Sequence, residues 1–196
     1  MSLTLTPDTI DDLIYSARAG DLPALQTDLS TLSTQTNSTP GQIIAAAIDT
    51  LPAEEGGSGS SLLHYPAANG NLEILTYLLT HLTQLPSAEA HKILNHRNYS
   101  GNTPLHWAAL NTHLECVKAL VEGGADVAIK NAAGLDAVFL AERADWNTRA
   151  EGEGEADGEG DEESAGEMTR GRQVVEWLLS SEKAGELESG VGEAKE

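Results

Sequence analysis

Cysteine is almost missing from this chain: one residue, Cys116, in 196. A lone thiol closes no intramolecular disulfide and builds no cysteine-rich zinc site, so a reducing compartment is its simplest home. Basic residues are also scarce, 11 Lys and Arg against 31 Asp and Glu, for a net charge of -20. Such a polyanion repels nucleic acid and anionic membranes and attracts basic partners. Direct nucleic-acid binding and membrane binding are therefore not expected. The segment Met1 to Asp8 has neither a basic region nor an apolar stretch, and no secretory signal or membrane span is legible. Reactive constellations are missing too. No Gly-rich phosphate loop, nucleophile elbow or HExxH occurs, and His81, His91, His96 and His113 lack ligand spacing. No enzyme, cofactor or metal site is expected.

What the chain does have is repetition. Leu63 to Glu73 lies over Leu105 to Glu115 residue for residue at an offset of 42. Thr103 can cap a helix whose first turn accepts Pro104, since proline's missing N–H has no partner there. Ala108 and Ala109 let that helix approach the next, where Leu114, Val117, Leu120 and Val121 recur at helical spacing. Leu13 to Asp21 matches Leu63 to Asn71 at an offset of 50, and Gly134 to Ala141 matches Gly101 to Ala108 at 33. The second helix of this last copy is delayed until Gly171 to Leu179. Pro66, in the place of Ala108, and Thr112, in the place of a turn glycine, predict local strain or a shifted helix start.

Thr103-Pro104-Leu105-His106-Trp107-Ala108 resembles the ankyrin-repeat signature, and 33 is the ankyrin period. The predicted fold is all-α: an ankyrin-repeat solenoid of four helix-turn-helix repeats, at about 10–35, 59–85, 101–125 and 134–181, joined by finger loops. An acidic disordered insertion at about 148–169 interrupts the last repeat within a domain spanning 1–182, and 183–196 forms an acidic disordered tail. Glu151 to Glu167 holds nine carboxylates and five glycines with no lysine or arginine, a composition that supplies no core. The run either maintains solubility alone or raises the local negative potential to speed capture of a basic partner. Pro52 to Ser60 has no apolar anchor and is predicted to be mobile.

The resemblance implies that His64 and His106 hydrogen-bond neighbouring loops. It also implies partner contacts at finger tips and first helices: Asn69, Arg97, Asn98, Tyr99, Asn102, Leu110, Asn111, Lys130, Asn131 and Leu135. Asn98 and Asn131 have a second reading, in which they only hold their own turns. Tyr15, Tyr65, Trp107 and Leu140 occupy one column of successive repeats. They are either a binding stripe, with Trp107 an anchor, or packing between adjacent first helices, the favoured reading; partial exposure of Trp107 satisfies both.

Ala17 to Leu22, Gly101 to Asn111 and Asn131 to Phe139 resemble, more narrowly, the fungal ankyrin-repeat chaperones dedicated to the third ribosomal small-subunit protein, of KH-domain type. That resemblance implies a one-to-one complex with a basic ribosomal protein through its N-terminal region, shielded in the cytoplasm and accompanied to the nucleus. Two alternatives stay open: an ankyrin adaptor in signalling or degradation, and a less specific acidic shield for basic proteins.

Overall fold

The computed structural model describes residues 3–152 and 168–189. Helices form where the caps allow them. Thr6 starts α1 (Pro7–Ala19) by accepting from the Thr9 N–H at 3.3 Å, and Gly20 ends it at φ 79°. Asp21 starts α2 (Leu22–Thr36) by accepting from Ala24 N–H at 2.9 Å, and Asn37 ends it at φ 51°. The pairs α4 (His64–Asn69) and α5 (Leu72–Leu82), α7 (Pro104–Leu110) and α8 (Leu114–Glu122), and α9 (Ala137–Gly152) and α10 (Arg170–Ser189) repeat the arrangement. The four helix pairs fall on the four sequence repeats, and the fold is the expected all-helical ankyrin solenoid.

Two helices lie outside that frame. The segment after α2 folds into α3 (Pro40–Ala46), started by a reciprocal Thr39–Gln42 capping box, and α6 (Ser87–Leu94) follows α5. α3 packs on α2 and α5, with α6 beside it. Ile43 and Ile44 are thereby buried in one continuous core with Leu13, Leu29, Leu63, Leu78, Leu105, Leu120 and Val174.

The two departures from the motif resolve differently. α4 begins at His64, two positions later than α7 begins at Pro104 in the aligned frame. Pro66 is then the third helical residue, where no intrahelical N–H bond is lost. Thr112 keeps the geometry of the glycine it replaces, at φ 57° against 73° for Gly70. A β-branched residue in this region is strained.

The expectation of a mobile 52–60 segment is corrected. Ala53–Glu55 form a 3-10 turn. Asp49 accepts from the Ser58 N–H and hydroxyl, and Tyr99 donates its hydroxyl to Leu51 O at 2.8 Å and its N–H to Ser58 O at 3.0 Å. These anchors are polar, in keeping with a segment that offers no apolar side chain of its own beyond Pro52 and Ala53. The acidic insertion falls, from 153 to 167, outside the described residues, as does the tail beyond 189. Among the described residues, no helix is long and apolar enough to cross a membrane.

Candidate binding groove

The finger loops are hung from histidines. The N–H and hydroxyl of Ser61 donate to His64 Nδ1 at 3.1 and 2.9 Å, which leaves the proton on Nε2, donated to Asn102 O at 2.9 Å. His106 repeats the device: Thr103 donates to Nδ1 and Nε2–H reaches Leu135 O at 3.1 Å. Burial, opposed by these bonds, pulls the His64 pKa down to about 4, and burial lowers that of His106 as well. Both rings are neutral bridges near neutral pH.

Several of the expected contact residues spend their polar atoms on this scaffold. Asn98 is buried, and its side-chain oxygen accepts from Ser100 N–H and Asn102 N–H. Asn131 holds the next finger in the same way through Ala133 and Leu135, and donates its amide to Asn102 Oδ1 at 2.8 Å. Arg97 is exposed but bonds Gly101 O and Lys130 O. Leu135 offers its carbonyl to His106. On the first helices, Asn69 donates to Arg18 O at 3.0 Å, and Asn111, its aligned counterpart, to Ala68 O at 2.8 Å. Each amide reaches back one repeat, although both residues are solvent-exposed. Tyr99 exposes half its surface with its ring against Gly59. Lys130 is exposed and Leu110 half-buried.

The aromatic column opens in a graded way. Tyr15 is 74% exposed, Tyr65 and Trp107 are half-buried, and Leu140 falls to 6%. Trp107 meets the partial exposure that both readings of the column allow. Tyr65 and Trp107 line a cavity of about 400 Å³ with Arg18, Asp49, Ser58 and Asn98. Burial raises the Tyr65 pKa, and its hydroxyl lies 3.4 Å from Ser58 Oγ. The Asp49 carboxylate is fixed by Ser58 and by Leu51 N–H at 3.2 Å. The groove thus offers aromatic faces for an apolar side chain and a held carboxylate for a cation.

Arg18, Asp49 and Ser58 were not found from the sequence. They come from two separate segments, α1 and the connection from Asp49 to Ser58, and only Tyr65 and Trp107 share a repeat column that could have pointed to the place. His64, His96 and His106 are used in loop bonds, His96 donating to Gly59 O at 2.8 Å. Cys116 is buried, and burial first, then Glu115, pushes its thiol up to about 11, far from a nucleophilic thiolate. No group of three or more His, Cys, Asp or Glu able to hold a metal ion occurs among the described residues.

A family model for ankyrin repeats matches residues 13–131 in three copies, the span of the first three helix pairs. The ankyrin repeat-containing protein YAR1 of Saccharomyces cerevisiae is 36% identical over 136 residues, covering 68% of this chain and 62% of that protein. The putative E3 ubiquitin-protein ligase XBAT31 of Arabidopsis thaliana is 40% identical over 67 residues, covering 34% of this chain and 13% of the ligase. A chain in the crystal structure of the yeast ribosomal protein Rps3 in complex with its chaperone Yar1 superposes with a TM-score of 0.62 at 32% identity, covering 80% of this chain and 99% of that one. With its signature, its four stacked helix pairs and its histidine-hung fingers, this chain belongs to the ankyrin-repeat family.

Proposed function

We propose that this protein is a dedicated escort of a basic KH-domain protein of the small ribosomal subunit, binding one client per chain through the client's N-terminal region. The observation that carries the reading is the likeness to the Rps3–Yar1 structure, which extends over 99% of the matched chain. Charge supports it: a newly made RNA-binding protein exposes a lysine- and arginine-rich surface, and a partner of net charge -20 complements it. The groove supplies the specific part, with Tyr65 and Trp107 as anchors and Asp49 as an anionic contact, and the exposed Tyr15 continues the same column beside it. The escort works by binding alone, without catalysis. It shields the client in the cytoplasm, travels with it to the nucleus and yields it to RNA, which competes for the same basic surface. The ligase-like match covers only about a third of the chain, which favours escort over adaptor.

Affinity purification from the organism's own cells in moderate salt, read by mass spectrometry, tests the proposal. One ribosomal small-subunit protein in near-equal amount is expected. A spread of unrelated basic proteins, or a ligase subunit without ribosomal protein, overturns it. In the purified complex, Trp107→Ala and Tyr15→Ala are each expected to weaken client binding about tenfold.

A further inference from the structure

Each inner first helix has its histidine position covered by the following finger: His64 under Asn102, His106 under Leu135. In α9 the aligned residue is Phe139, which has no hydrogen bond to offer and is 47% exposed. Trp146 lies seven residues on, about two turns and 10 Å along the same face, and is 74% exposed. The opposite face, Ala137, Leu140 and Ala141, is buried where α9 packs on α7 and α10. The outward face of a terminal repeat is ordinarily polar. Here it carries two large aromatics.

We propose that this face of α9 is a second docking surface, distinct from the groove, for a lysine- or arginine-rich polypeptide segment bearing a large apolar side chain. It rests on the reading that the clients are basic proteins. The occupant follows from charge and from what cannot serve. Residues 153–167 and 190–196 contain no apolar side chain larger than Val191, too small to cover two aromatics. A second copy would set -20 against -20. On the face itself Glu142 and Arg143 offset one another. A cationic partner is drawn by the chain's net charge of -20, and aromatic faces themselves attract cations.

The three tryptophans allow a direct test on the full chain labelled with nitrogen-15, each indole signal assigned by a Trp→Phe variant. Trp107 reports the groove, Trp146 the α9 face, and Trp177, packed against the core, is the control. Two probes are added in turn: the KH-domain ribosomal protein of the same organism, and a synthetic amphipathic helix of about 18 leucines and lysines at helical spacing. A shift of the Trp146 signal with either probe, abolished for the probe by Phe139→Ser, supports the second surface. A Trp146 signal unmoved by both overturns it, whatever Trp107 does. A Trp107 signal unmoved by the ribosomal protein overturns instead the groove reading. In binding titrations, Phe139→Ser with Trp146→Ser is expected to weaken the complex about tenfold at an unchanged melting temperature; unchanged affinity refutes the proposal.

Discussion

The second and third repeats align residue for residue and turn alike, yet with different residues: Gly70 ends α4 at φ 73°, and Thr112 takes the same place after α7 at φ 57°. The difference lies in what presses on the turn. A Cβ on Gly70 would stand 2.7 Å from His113 Nδ1, and one on Gly20 would stand 3.4 Å from Asn71 Nδ2. In both cases the neighbour is the residue just past the turn of the following repeat. The counterpart for Thr112 is Trp146, which sits on the uninterrupted helix α9 and is exposed. A turn glycine therefore serves two needs, a left-handed backbone and room for the next repeat. Thr112 offends only the first, because the fourth repeat does not turn there.

The largest effect is expected at the device the two repeats share. His64→Ala strands the Ser61 N–H and the Asn102 carbonyl and should cost ~3 kcal/mol, and His106→Ala, as deeply buried and stranding the Thr103 N–H and the Leu135 carbonyl, should cost as much; chemical denaturation of both variants measures this. Clearly unequal costs would show that the two rungs are not the same device. Next, Gly70→Ala should cost about 2 kcal/mol in the native chain but only the ~1 kcal/mol owed to the backbone in a His113→Ala background, which itself loses the His113 bond to Ala68 O. If the cost is the same in both backgrounds, the room argument fails.

Acid comes third. The His64 pKa is lowered to about 4, so above its ordinary value of 6.5 the neutral ring is native-like and stability is full. As pH falls from 6.5 toward 4 the unfolded chain takes up a proton that the native state refuses, and up to ~3 kcal/mol is lost. Melting temperatures across that window should fall less in His64→Gln, whose own stability is lower but flatter with pH. The smallest effect is a gain: Thr112→Gly should stabilise by ~1 kcal/mol, and a loss would show that the Thr112 side chain makes a contact worth more than its strain.

The histidine rungs were legible through the ankyrin resemblance, and the alanine contacts and the strain at Thr112 because each repeats at a fixed offset against a copy that explains it. The late start of α4 was legible from Pro66 for the same reason. α3 and α6 were not: each occurs once, outside the repeat frame, and Thr39-Pro40-Gly41-Gln42 reads as a turn until Ile43 and Ile44 are seen against α2 and α5. The groove was half legible. Tyr65 and Trp107 share a column, whereas Asp49 and Ser58 are carried in by a segment that polar bonds alone hold in place.

The rungs also have a direction in time. His64 is completed by Asn102 and His106 by Leu135, each a residue made later, while Asn69 and Asn111 reach back to carbonyls already made. A chain leaving the exit tunnel can dock every new repeat on its predecessor at once, but it locks that repeat only when the following finger emerges. Synthesis from N-terminus to C-terminus thus completes the Tyr65–Trp107 groove before the fourth repeat is made.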